Sequence, residues 1–188
     1  MTGILTLVSS VAGLVLAWAN DLTEDRIDKV KSERKLAAVR SVLPPCDNFN
    51  TNSAVTITHN GKEHTFYIAV KEGLYAGAAF ETVSKKGYGG DIGVMVGVNA
   101  EGTVQGIEIL SHEETPGLGA RIENPGFKSR FAGRDLKKTQ WKVEKDGGDI
   151  DQITSATISS RAVAETAGKG IELYLEHEDE IRSAAKQR

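Results

Sequence analysis

The sequence predicts an α+β fold built on a mostly antiparallel sheet. Three observations carry this. Short segments of strand-forming residues follow one another between Ala54 and Leu110. Turn-like stretches join each to the next, as hairpins require. The apolar pattern from Ile158 to about Ala185 is that of one long amphipathic helix. Strands and helices are therefore segregated along the chain.

Residues 4–19, ILTLVSSVAGLVLAWA, form an apolar run with no charge before Asp21. The run is 16 residues long, short of the roughly 20 that span a hydrocarbon core as a helix. Thr2 and Gly3 could extend it, and Trp18 suits a membrane interface. Two readings stand. Ala17-Trp18-Ala19 matches the small-x-small cleavage pattern of a secretory signal peptide. No Lys or Arg precedes the run, however, which favours an uncleaved transmembrane anchor over 1–20. The basic residues that follow, Arg26 to Arg40, would by charge alone hold that flank in the cytoplasm.

Residues 21–45 read as a charged helical stalk. Asp21 and Glu24 resemble a capping box, and Pro44-Pro45 stops the helix. The remaining residues, 46–188, read as one domain. Ala54–His59 alternates, Asn60-Gly61 is a type I′ hairpin signal, and Glu63–Val70 is the return strand. Leu74–Val83 is a third strand, with Gly77 at a bulge. Asp91–Val98 and Thr103–Leu110 form another hairpin. A glycine-punctuated loop (111–121), a helical turn at 127–131 and a short strand at 141–143 precede the closing helix. Its apolar stripe is Val163, Ala167, Ile171 and Leu175, and its tail, 177–188, reads as charged and solvated.

A length of 188 residues suits one domain and a short appendage. With 23 Lys and Arg against 26 Asp and Glu, the chain has no basic excess and no nucleic-acid footprint. The single cysteine, Cys46, excludes an internal disulfide, a CxxC pair and a Cys-ligated iron–sulfur cluster. The four histidines, His59, His64, His112 and His177, form no HxxxH pair, so no metal site is expected. There is no dinucleotide fingerprint, no P-loop and no nucleophile elbow.

Two segments stand out. In 149–163, DIDQITSATISSRAV, five hydroxyl residues fall between 154 and 160, just before the closing helix. Ser and Thr cap helix N-termini, which accounts for one or two of them. The other reading is an anion site, because a helix N-terminus offers unpaired N–H donors and partial positive charge. In 113–119, EETPGLG, Pro116-Gly117 sets a tight turn and two glycines let backbone approach something flat or bulky.

The segments GYGGDIGVMVGVNAEGTVQGIEILSHEETPGLGARI and DQITSATISSRAV together resemble the FMN-binding G subunits of Rnf electron-transport complexes. The C subunits of the Na⁺-translocating NADH:quinone reductase are their relatives. The resemblance covers most of the chain. It implies covalent FMN, moved by a flavin transferase from FAD onto a threonine hydroxyl as a phosphoester. The family motif is Asp, a few residues, then Ser/Thr-Gly-Ala-Thr. On it, Asp151 is the acid, Thr154 the hydroxyl residue, Ala156 the alanine and Thr157 the acceptor. Ser155 stands where the family usually has glycine.

On that basis Ser155, Ser159 and Ser160 are phosphate donors, and Ile158 belongs to the same site. Glu114, Thr115, Gly117, Leu118 and Gly119 lie against the ribityl chain or the ring, and Tyr88-Gly89-Gly90 is a further wall. The resemblance implies an electron-transfer component of a membrane complex that couples ferredoxin and NAD chemistry to Na⁺ or H⁺ translocation. Its partners would be the other Rnf subunits, the flavin transferase and membrane lipid, with the FMN domain on the periplasmic or outer side. The competing readings are a secreted, non-redox α+β binding module and a covalent-FMN domain serving a different membrane reductase.

Overall fold

The computed structural model describes residues 2–46 and 54–186. By compactness the chain divides into 1–36 and 37–188. The first unit is helical, part of one uninterrupted helix, α1 (Thr2–Val42). The capping-box start expected at Asp21 is absent, because helical backbone already runs through it. Ile4, Leu7, Leu14, Leu16 and Trp18 are exposed on α1. Among the described residues, no helix is long and apolar enough to cross a membrane. The span expected over 1–20 thus has no counterpart there: the apolar run stops at Ala19 and the helix continues into charged sequence.

The second unit holds a five-stranded sheet: β1 (Ala54–His59), β2 (Lys62–Lys71), β3 (Leu74–Ser84), β4 (Ile92–Asn99) and β5 (Val104–His112). Neighbours in sequence are neighbours in the sheet, and every pair is antiparallel. Asn60 and Gly61 have φ of 50° and 74°, as a type I′ turn requires. Glu72-Gly73, with φ of 53° and 75°, makes a second turn of this kind between β2 and β3. Ala69 pairs with Gly77 and Val70 with Tyr75, so Ala76 is the extra residue of a bulge.

Each face of the sheet is covered. On one, Phe66, Ile68, Phe80, Val94 and Val96 pack against α3 (Thr157–Glu176). Val163, Ala167, Ile171 and Tyr174 carry the helix side of this core. Tyr174 is buried where Leu175 was expected, and its ring stacks on Phe80 at 5.9 Å. A strict four-residue spacing drifts around a helix of 3.6 residues per turn, so the buried stripe takes a three-residue step after Ile171. His177 interrupts the closing helix, with φ −113° and ψ 15°. The chain resumes as α4 (Glu178–Lys186), whose Ile181 and Ala185 are buried in the same core. Within the tail expected to be solvated, Glu178–Lys186 is therefore structural.

On the other face, Ala69, Ala79 and Met95 pack against Ala38, Val39, Val42 and Leu43. The compact unit accordingly starts at Ala37, inside the segment read as a stalk. Gly97 makes this fit possible, because a Cβ there would collide with the Val42 carbonyl. Gly97→Ala should destabilise the domain by about 1–3 kcal/mol through overpacking. Chemical denaturation should show a lower midpoint at unchanged slope.

Between β5 and α3 the chain makes a 3-10 turn (Gly119–Glu123) and the short helix α2 (Pro125–Lys128). The strand expected at 141–143 is reduced to one bridge, Val143 to Ile150. This segment lays the 113–123 loop beside the first turn of α3.

Candidate functional site

The start of α3 forms one wall of a cavity of about 640 Å³, within the range of small-molecule sites. Its lining comes from three separate stretches: Tyr88; Glu114, Thr115, Leu118 and Gly119; and Ser155 to Ser159. Tyr88, Leu118 and Ile158 are 72%, 49% and 45% exposed, so they offer apolar surface at the mouth.

Glu114 fastens these stretches together. It is buried, its Oε2 accepts from Ser159 Oγ at 2.5 Å, and its Oε1 accepts from the Gly89 N–H at 3.1 Å. Its own N–H donates to His112 Nδ1 at 3.1 Å, and His112 Nε2 lies 3.3 Å from Glu123 Oε1. The proton of His112 therefore sits on Nε2. Gly119 is what lets the loop come this close, because a Cβ there would run into Glu114 Oε2 and Ser159 Oγ.

No side chain caps α3. Ala156 occupies the cap position, and Ser160 N is the first α3 amide bonded back, to Ala156 O at 3.0 Å. The hydroxyls do other work. Ser160 accepts from the Ile153 N–H and donates to Ala156 O. Ser159 is engaged by Glu114. Both are buried and committed within the protein, contrary to the expectation that they face a phosphate. Thr157 is half-buried on the cavity wall, and Ser155 is exposed beside it. What remains at the helix start is a set of donor N–H groups and the positive end of a 20-residue helix dipole. Arg161, one turn further on, pairs with Asp146 and holds its carboxyl below the usual range, which ties the 144–150 loop to α3.

Of the residues picked out from the sequence, ten meet at the cavity: Tyr88, Glu114, Thr115, Leu118, Gly119, Ser155, Ala156, Thr157, Ile158 and Ser159. Asp151, Thr154 and Gly117 do not line it. Asp151 faces Arg130, whose Nη1 reaches its carbonyl at 2.7 Å and its Oδ2 at 3.2 Å. Sequence reasoning missed Arg130, His112 and Glu123, since no spacing signal links them to the motif.

Residues 87–172 match the family model of the FMN-binding domain. The G subunit of the ion-translocating oxidoreductase complex of Cereibacter sphaeroides is 38% identical over 186 residues, covering 95% of this chain and 84% of the relative. This chain belongs to the family of these G subunits. The G subunit from Vibrio parahaemolyticus is 36% identical, with 93% of this chain and 87% of the relative covered. Among solved structures, Shewanella oneidensis NqrC superposes with a TM-score of 0.55 at 20% identity, over 71% of each chain. The C subunit of the Na⁺-translocating NADH-quinone reductase of Parabacteroides distasonis gives 0.51 at 24% identity, over 61% of this chain and 62% of that one. These two likenesses concern the fold.

Ser155 has a φ of 69°, in the left-handed region. A side chain there costs about 1–2 kcal/mol relative to a right-handed residue, which gives a physical reason for glycine at this point of the motif. Ser155→Gly relieves that strain and gives back about 0.5–1 kcal/mol in unfolded-state entropy. The net expectation is a gain of about 0.5–1 kcal/mol, seen as a rise of roughly 1–4 °C in Tm.

Proposed function

We propose that this chain is the electron-transfer flavoprotein of a membrane-bound, Rnf-type ion-translocating oxidoreductase complex, carrying FMN linked through its phosphate to Thr157. One observation supports this above the others. Thr157 lies on the wall of a flavin-sized cavity, at a helix N-terminus with no side-chain cap. The residues fit FMN at both ends. Backbone N–H groups and the helix dipole suit a phosphodiester anion. Tyr88, Leu118 and Ile158 suit a flat, mostly apolar ring that stays reachable for a docked partner.

In the attachment reaction, Thr157 Oγ gives up its proton and forms the new O–P bond to the FMN phosphorus of FAD. The pyrophosphate bond breaks and AMP leaves. Charge grows on the phosphoryl oxygens, and the start of α3 is placed to hold it. The transferase supplies the rest of the catalysis. Once attached, FMN supplies the redox chemistry. Glu114 keeps the loop and helix in register, and the phosphoester tether prevents loss of the group. Asp151, tied to Arg130 outside the cavity, would act at the transferase contact and not on the bound flavin.

The exposed apolar residues of α1 between Ile4 and Trp18 support attachment of this protein at the cell membrane by a single N-terminal anchor. The resemblance implies that the FMN domain faces the periplasm or cell exterior. Co-expression with a flavin transferase tests the central claim. The full chain should gain the mass of one FMN less one water and fluoresce in a denaturing gel. A chain that emerges unmodified from an active transferase strain overturns it.

A further inference from the structure

We propose that His59, Glu176 and His177 form a binding site for one divalent transition-metal ion of the zinc class. His59 ends β1, and Glu176 and His177 stand where α3 gives way to α4. Their ligand atoms all lie within 4.8 Å of one another. His59 Nδ1 is 3.4 Å from His177 Nε2 and 3.7 Å from Glu176 Oε2. A tetrahedron with metal–ligand bonds of about 2.0–2.1 Å has edges of about 3.4 Å, so these separations are close to those around a zinc ion. Neither histidine needs to move far.

The surroundings add a second observation. His177 Nδ1 lies 3.4 Å from Glu180 Oε2. When Nε2 binds a metal, this carboxylate is placed to accept from the Nδ1–H and leave the Nε2 lone pair for the ion. That is the outer-shell arrangement typical of metal-ligating histidines. His64 is on the same face of the β1–β2 ladder, because Ile57 pairs with it and His59 pairs with Lys62. His59, His64 and Glu176 all line one cavity of about 250 Å³, which leaves room for a water or a further ligand. Imidazole nitrogens with one carboxylate select zinc, or nickel and copper, over magnesium or calcium.

The ion would be structural. Thr157 and Glu176 are the two ends of a 20-residue helix, about 30 Å apart. A metal at one end leaves the flavin cavity at the other undisturbed, so this site stands independently of the flavin reading. It would clip the first hairpin to the α3–α4 junction and hold α4 on the core.

The test uses the full chain without a histidine tag. Zinc chloride is titrated by calorimetry, and thermal unfolding is followed with and without it. One zinc per chain and a higher unfolding midpoint are expected. His59→Ala and His177→Ala should each weaken binding at least tenfold and remove the thermal shift, while Glu180→Gln should weaken it about tenfold. Cys46→Ser should bind as the parent does, which separates this site from the free thiol. Circular dichroism of the metal-free variants checks folding, and His59→Gln, which keeps bulk and polarity, serves if the alanine variant is unstable. No zinc-dependent shift in the parent chain, or a shift that persists in both histidine variants, overturns the proposal.

Discussion

Thr157→Ala should abolish covalent flavin attachment, leaving intact mass at the value of the bare chain and the denatured band without fluorescence. The loss should be chemical. Thr157 is the first residue of α3, its side chain makes no capping bond, and it is only half-buried. Replacing it with alanine removes the hydroxyl with little effect on a helix that already starts uncapped. The unfolding free energy should stay within about 0.5 kcal/mol of the parent's. Thr157→Ser restores a hydroxyl at the same atom and should restore labelling, though more slowly, since the serine rotamer is less fixed. The neighbouring hydroxyls give the control. Thr154 lies outside the cavity lining and Ser155 points from a strained, left-handed residue, so Thr154→Ala and Ser155→Ala should both remain labelled. Labelling that survives in Thr157→Ala but vanishes in Ser155→Ala would move the acceptor two residues upstream.

The strands were legible because alternation, β-branched residues and an Asn-Gly turn are local signals, and all five lie within two residues of where the sequence puts them. Coverage of the sheet was less legible. Ile92–Val98 is buried at every position, and its uninterrupted apolar character is the mark of a strand covered on both faces. The covering partner, Ala38–Leu43, hides at the end of a highly charged helix. The hydroxyl cluster stood out in the sequence, but which of its hydroxyls are taken up by bonds within the protein did not. Ser159 is spent on Glu114, 45 residues away in sequence, and His59 meets His177 across 118 residues. Pairings set by tertiary packing leave no mark in local spacing.

Glu114→Ala should cause the second large loss, and it should fall on structure and flavin attachment together. The carboxylate is 5% exposed and takes one bond from the Tyr88 loop and one from α3. Removing it leaves the buried Ser159 hydroxyl without its acceptor, at a cost of about 1–3 kcal/mol, and opens a void that adds to this. A total near 2–4 kcal/mol corresponds to a drop of roughly 4–15 °C in Tm for a chain of this size. With its fastening gone, the 113–119 loop no longer holds its place against the start of α3, and the yield of flavin-labelled protein should fall with it. Glu114→Gln separates the two contributions. Its amide oxygen still accepts from the Gly89 N–H, and its NH₂ donates to Ser159 Oγ once that hydroxyl rotates. Shape and bonding survive and only the charge assistance is lost, so Gln should cost under about 1.5 kcal/mol and keep most of the labelling. If Ala and Gln both match the parent in midpoint and flavin yield, the three stretches are held by something other than Glu114. If Gln is as damaging as Ala, the negative charge itself, and not the pair of bonds, is what the site requires.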